Sequence, residues 1–314
     1  MILSHALRGH RYPLWFRLLF DHGNLGVRIF FVISGYLITG LLVRERDTTG
    51  SISVSRFYAR RALRLLPAFC AFIATVAILD HFQFISLPSG NLLYAITYTM
   101  NFAPNGSWWT GHLWSLSVEE QFYIVWPLAM TFLPIRSCAA LAVAAIWAGV
   151  ATREAYQIFG FRLIDPVAMR YAFPYVCGAI ATGCLLAIYE PQIRRWSNRW
   201  APGVSIFALI PVVLLMDAIV LPLNRLGLIV SDCMLALLVG RAVLIRGGFL
   251  NSSPMLVVGV LSYSLYLWQQ LFFHSSSSWL AARFPFNALC VAVIACASYR
   301  LIERPFLDLR RRLR

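Results

Sequence analysis

Residues 114–128 read WSLSVEEQFYIVWPL. Two adjacent carboxylates, Glu119 and Glu120, stand at the head of a run of aromatic and aliphatic side chains. On a water-soluble helix such a pair is an ordinary solvated patch, whereas on a membrane helix it demands a partner. The fold therefore turns on the solvent around this stretch. The 314-residue chain is 60% hydrophobic and 13% charged, and its apolar residues come as long blocks rather than amphipathic stripes. A mean hydropathy of +0.70 fits a chain that crosses a membrane repeatedly.

A helix rises ~1.5 Å per residue, so about 20 residues cross the hydrocarbon. Blocks near that length predict spans over 25–43, 64–80, 114–133, 137–153, 171–189, 203–222, 226–246, 254–274 and 284–302, and the stub 1–7 reads as the end of another. The net charge of +14 comes from 27 arginines against 13 acids, with no lysine. Because the arginines cluster in short loops between apolar blocks, the positive-inside rule explains them better than nucleic-acid binding does. It predicts that 44–63 (RERDTTGSISVSRFYARRAL), 190–200 (EPQIRRWSNRW) and the tail 300–314 are cytoplasmic. That parity holds only if 91–112 (NLLYAITYTMNFAPNGSWWTGH) does not fully cross, so this segment, broken by Pro104, Asn105 and Gly106, is expected as a re-entrant or surface piece on the outer side.

The seven cysteines are odd in number and lie mostly inside spans, as small buried apolar residues would. MILSHAL is short and meets Arg8 at once, so no cleavable signal peptide is expected. One membrane domain over 1–314 is the predicted organisation.

Chemistry concentrates in a few blocks. RFYARRALRLLP, 56–67, brings Arg60 and Arg61 to within one helical turn of Arg64, with Arg56 a turn earlier. Such a cluster serves either as orientation signal and lipid anchor or as a site for a phosphorylated ligand, because guanidinium forks bind phosphate bidentately. In GNLGVRIFFVISGYLITG, 23–40, Ser34 and Gly35 interrupt a bulky helix, which allows close helix packing or access for a ligand chain. Arg28 in the same block is placed to snorkel or to pair with a carboxylate. His5, His10, His22, His81, His112 and His274 fall near the outer ends of spans, and His5, set in the apolar stub, suits a buried general base.

His5, GNLGVRIFFVISGYLITG, RFYARRALRLLP, WSLSVEEQFYIVWPL, LSYSLYLWQQ and the terminal LIERPF occur in that order along nearly the whole chain. Together they resemble the acyltransferase-3 family of integral membrane O-acyltransferases. The resemblance implies an all-α membrane bundle of about ten helices, an acyl-CoA donor bound from the cytoplasm, and acyl transfer to a hydroxyl of a surface or exported carbohydrate. It places the family's first-helix histidine on His5, its RxxR pair on Arg61 and Arg64 with Arg60 assisting, and its paired acids on Glu119 and Glu120, for which His5, Arg28 or His112 could be the partner. Acetyl is the expected acyl group. The expected partners are acyl-CoA, the carbohydrate acceptor and membrane lipid, with no nucleic acid, no metal and no permanently bound cofactor. The expected location is the plasma membrane, multi-pass, with a cytoplasmic C-terminus.

Three departures accompany the resemblance. The family's Arg-Gly pair would precede His5 by about ten residues, and Met1 stands four residues before it, so the first helix is expected to be truncated. Gln269 occupies a position where the family commonly carries histidine. No esterase-like domain is expected after 314, leaving the acceptor to the membrane domain or to partners. Two other classes fit a polytopic chain: a transporter or flippase of glycan precursors, which would favour internal repeats that are not seen here, and a non-catalytic scaffold derived from an acyltransferase.

Overall fold

The computed structural model describes residues 23–104, 106–159, 171–200, 206–215, 227–244, 249–274 and 285–311. Every regular element among them is helical. The long apolar blocks become α1 (Gly23–Thr49), α2 (Val54–His81), α5 (Leu113–Phe132), α6 (Ile135–Phe159), α7 (Phe173–Ile188), α9 (Ile206–Leu215), α10 (Gly227–Leu244), α11 (Ser253–Phe272) and α12 (Phe286–Ser298). Short helices α3 (Asn91–Ile96) and α4 (Trp108–Gly111) lie between α2 and α5, α8 (Glu190–Trp200) follows α7, and a π-turn (Tyr299–Glu303) leads from α12 into α13 (Arg304–Arg311). Five helices are long and apolar enough to cross a membrane: Gly23–Thr49, Val54–His81, Ile135–Tyr156, Ser253–Phe272 and Phe286–Arg310. Their outer faces suit lipid. Phe30, Ile33, Leu37 and Leu41 of α1 are exposed, as are Leu256, Val257, Val258 and Val260 of α11, an apolar surface that water would penalise.

The arginine-rich loops of the sequence are mostly helix. Helix α1 runs on to Thr49 and α2 begins at Val54, leaving a break of only four residues in 44–63. Length explains this: at ~1.5 Å per residue, 28 residues extend roughly 42 Å, well beyond a ~30 Å hydrocarbon layer. The polar turns therefore continue the helix past the apolar zone. Segments 190–200 and 300–311 are likewise helical. Segment 91–112, by contrast, is broken into pieces of six, three and four helical residues, none long enough to cross. The stub 1–7 and the flanks of the spans 203–222, 226–246 and 284–302 lie outside the described residues.

The chain divides into two compact units. Among the described residues the first comprises those of 23–52 and 118–244, the second those of 53–117 and 249–311, so the first turn of α5 belongs to the second unit and the rest to the first. In the first unit α7 packs between α1 and α6, with α10 against both α1 and α7. Glycine allows that packing. A Cβ on Gly35 would lie 2.1 Å from the Ile180 carbonyl oxygen, and one on Gly183 would lie 2.1 Å from that of Val32, so α1 and α7 meet backbone to backbone. Trp126 Nε1 donates to Thr39 Oγ1 at 2.8 Å, and the Arg46 guanidinium bonds the Met130 carbonyl. These contacts tie α5 to α1 and satisfy a carbonyl near the α5 C-terminus. Tyr36 donates to Glu190 at 2.9 Å, and Arg194 holds the other Glu190 oxygen at 2.7 Å.

In the second unit, Phe69, Phe72, Ile73 and Val76 of α2 form a core with Leu113 and Leu116 of α5 and with Leu267 and Trp268 of α11. Pro67 lies inside α2, and near it the Tyr263 hydroxyl donates to the Leu65 carbonyl at 2.9 Å. All seven cysteines are free. Cys138, Cys177 and Cys184 are buried as expected of small apolar residues, whereas Cys70 and Cys233 are exposed on their helices.

Candidate active site

The first unit buries Glu119, which is 4% exposed. Its carboxylate accepts the Ser34 hydroxyl at 2.5 Å and the Tyr123 hydroxyl, and the two hydroxyls also touch each other. Helical spacing explains half of this, since Tyr123 lies one turn after Glu119 on the same face of α5. The other half comes from α1, which the glycine seam fixes against α7, with Ser34 the neighbour of Gly35 in sequence. A buried carboxylate met by two hydroxyls is held at a defined position. Glu120, one residue on, points about 100° away around the helix and is half-buried.

Of the partners expected for the acids, Arg28 pairs with Asp232 of α10, with Nη2 at 2.5 Å and Nε at 3.0 Å. His112 lies in the second unit, buried, with Nε2 3.1 Å from the Leu267 carbonyl and its ring edge-on to Phe72. Sequence reasoning gave Ser34 to close helix packing or access for a ligand chain and assigned nothing to Tyr123. The available signals were a small hydroxyl interrupting a bulky apolar block and the i, i+4 spacing. His5, His10 and His22 lie outside the described residues.

The second unit carries the arginines. Arg60 and Arg61 are half-buried and Arg56 and Arg64 exposed on the first turns of α2, where the helix outruns the apolar zone. The π-turn and α13 pack along α2. The turn presents Glu303, a buried acid that accepts the Ser264 hydroxyl and is near enough to Arg64 for their charges to interact. Three blocks far apart in sequence, RRALRLLP, YSLYLW and LIERPF, thus converge around one carboxylate. Sequence analysis quoted all three and gave Glu303 no role; its signal was a single acid at the end of an apolar block. Gln269, where the family commonly has histidine, is buried on α11 and donates to the Tyr266 carbonyl at 3.2 Å.

Outside the spans, and among the described residues, Glu190 is a titrating group with a clear shift. Partial burial pushes its carboxyl up, but hydrogen bonds from Arg194 and Tyr36, with the charges of Arg194 and Arg44, outweigh burial and hold it below the usual carboxylate range.

Long apolar helices, one unit of which buries a hydroxyl-bound carboxylate, define a multi-pass membrane protein. The chain belongs to the acyltransferase-3 family, whose acyltransferase domain matches residues 1–299. It is similar to the O-acetyltransferase OatA of Staphylococcus aureus strain NCTC 8325 / PS 47, with 27% identity over 321 aligned positions that cover 90% of this chain and 52% of that protein. OatA of strain COL matches equally. A further protein of strain COL, provisionally named an O-acetyltransferase, is 39% identical over 130 positions, covering 35% of this chain and 20% of its own length. The chain spans about half the length of the OatA relatives it matches. No solved structure matches it.

Proposed function

We propose that this chain is a membrane O-acyltransferase that moves an acyl group, acetyl in the first instance, from acyl-CoA to a hydroxyl of a surface or exported carbohydrate. The observation that carries the reading is Glu119: a buried carboxylate in the family's WSLSVEEQFY block, held by hydroxyls from two helices. The relatives named O-acetyltransferase support the same class of chemistry.

A sugar hydroxyl is a poor nucleophile at neutral pH, so a positioned base is worth ~10²–10⁴ in rate. His5 takes the hydroxyl proton as oxygen attacks the thioester carbonyl. The C–O bond forms, the C–S bond breaks, and the proton passes on to the departing CoA thiolate. Glu119 or Glu120 orients His5 or the acceptor. Arg61 and Arg64, with Arg60 assisting, hold the CoA phosphates from the cytoplasmic side, where the fork geometry of arginine suits phosphate oxygens. Residues 1–314 act as one catalytic membrane domain of about ten helices in the plasma membrane, with segment 91–112 on the outer side and the C-terminus in the cytoplasm.

The test is transfer of labelled acetyl from acetyl-CoA to cell-surface carbohydrate in membranes carrying the wild type or His5→Ala. Transfer is expected to vanish in His5→Ala while acetyl-CoA binding persists. Normal transfer by His5→Ala together with loss in His22→Ala would move the base to His22.

A further inference from the structure

The last turns of α11 end in two glutamines that are nearly inaccessible, Gln269 at 1% and Gln270 at 5% exposure, and the amide oxygen of each lacks a hydrogen-bond partner. For Gln269 the amide orientation is set by its own Nε2, which donates to Tyr266, so Oε1 is the acceptor left waiting. The adjoining Trp268 indole N–H is also buried without a partner. Buried polar atoms in native proteins are nearly always satisfied, and a cluster of exceptions points to a group that arrives from outside.

The neighbouring side chains indicate what kind of group that is. Trp108 Nε1 donates to the Gln270 carbonyl at 2.9 Å, which brings α4 against the end of α11. The His274 ring stacks on Trp109 with centroids 4.6 Å apart and meets Trp108 edge-on at 5.8 Å. All three rings are half-buried, so each keeps part of its surface accessible. The turn that presents the two indoles is fixed from behind by a buried Thr110–Asn91 hydrogen bond and capped by Ser107, whose Oγ accepts the Trp109 N–H at 3.2 Å. An amide oxygen only accepts, so the waiting Gln270 Oε1, at a helix end that an indole touches, suits a ligand with O–H donors and an apolar C–H face, which describes a sugar ring rather than a phosphate or an acyl chain.

We infer that Trp108, Trp109 and Gln270 form a subsite for the carbohydrate acceptor. A ring hydroxyl donates to the Gln270 amide oxygen, and the C–H face of the sugar lies along the indoles. The inference rests on the carbohydrate-acceptor reading above and adds the residues that recognise it. None of the three enters the chemical step.

The experiment uses the full chain in lipid nanodiscs and has two readouts. Tryptophan fluorescence is titrated with tetrasaccharides of glucose, of N-acetylglucosamine and of glucuronic acid, and acetyl transfer is measured against acceptor concentration. Saturable fluorescence change with at least one tetrasaccharide is expected for the wild type. Trp109→Ala and Gln270→Leu should weaken it at least tenfold and raise the acceptor KM by a similar factor, with acetyl-CoA affinity unchanged. Trp109→Phe, which keeps a ring, should recover most of the affinity and guards against a folding defect. A wild type that transfers acetyl to carbohydrate with an acceptor KM indifferent to both substitutions overturns the subsite alone. Sugar binding lost in the variants, with no transfer by the wild type, overturns the O-acyltransfer reading and keeps the subsite. Absence of both binding and transfer overturns both.

Discussion

Each unit buries one glutamate against a serine from another helix, and the two sites differ in what else surrounds the carboxylate. Glu119 sits in a regular helix and meets Ser34 and Tyr123, both hydroxyl donors. Glu303 sits on a π-turn, meets Ser264, and has the charge of Arg64 nearby. A hydroxyl fixes a carboxylate by hydrogen bonding alone, whereas a guanidinium adds an opposite charge. The first site is thus built from hydroxyls on regular helix, and the second from a hydroxyl and a nearby guanidinium on a π-turn, a helical irregularity frequent at functional sites.

The largest effect expected concerns the frame that holds the first site. Gly183→Leu drives a side chain into the Val32 carbonyl, where a Cβ alone would stand 2.1 Å away. Backbone cannot yield as a side-chain tip does, so the loss should exceed the ~1–3 kcal/mol usual for overpacking. Size-exclusion chromatography in detergent should show no monodisperse protein. A well-behaved, active Gly183→Leu would mean that α1 and α7 are held apart and that Ser34 is not fixed by the seam.

Next in size is the contrast between the carboxylates. Glu119→Gln keeps shape and hydrogen bonding but removes the charge, so the maximal transfer rate should fall about 10²-fold or more without loss of expression. Glu303→Gln should leave the maximal rate within about tenfold of the wild type. Equal losses at the two positions would erase the distinction drawn between the units.

A smaller change is expected when the arginines are altered. A charge-assisted hydrogen bond contributes about 1.5–3 kcal/mol, so Arg61→Gln with Arg64→Gln, whose amides keep weaker contacts, should cost the equivalent of one such bond and raise the acyl-CoA dissociation constant about tenfold to a hundredfold. Lysine at both positions should restore only part of the affinity, since it keeps charge and loses the fork. Isothermal titration with acetyl-CoA checks this, and unchanged affinity would return the cluster to lipid anchoring.

The smallest effect is the pH response of Glu190. Its carboxyl is lowered in the folded chain, so its contribution to stability is complete above its unfolded value near pH 4.5 and fades as pH falls through the folded value below that. Thermal unfolding in detergent at pH 7 and pH 3 should differ less for Glu190→Gln than for the wild type. An identical pH response would show that the Tyr36 and Arg194 contacts do not hold the carboxylate in solution.

Much of this was legible in the sequence because bilayer physics is coarse. A block such as 25–43 or 254–274 announces a helix by length and hydropathy alone, and α1 and α11 contain them. Boundaries were harder at the arginines, since charge marks where the apolar zone ends and not where the helix ends; α2 starts ten residues before the block 64–80. In the site, the acids were visible as costly residues in an apolar run, but their partners were not. Ser34 and Glu119 lie 85 residues apart, and a serine that donates to a carboxylate looks the same in sequence as one that permits close packing. Asp232 was similarly hidden, because nothing local links it to Arg28 across 204 residues.

The close approach of α1 and α7 at Gly35 and at Gly183 also sets an angle. A hydroxyl on α1 stands roughly 5 Å from the helix axis, about twice the ~2.3 Å radius of the Cα atoms, so turning the helix by about 10° would carry Ser34 Oγ close to 1 Å along an arc. That arc is enough to break a 2.5 Å bond to Glu119. With no side chain between the two backbones to act as a bearing, α1 cannot roll on α7 without collision. The seam serves as a rotational stop, and the aim of Ser34 at Glu119 is set by atoms that never touch the carboxylate.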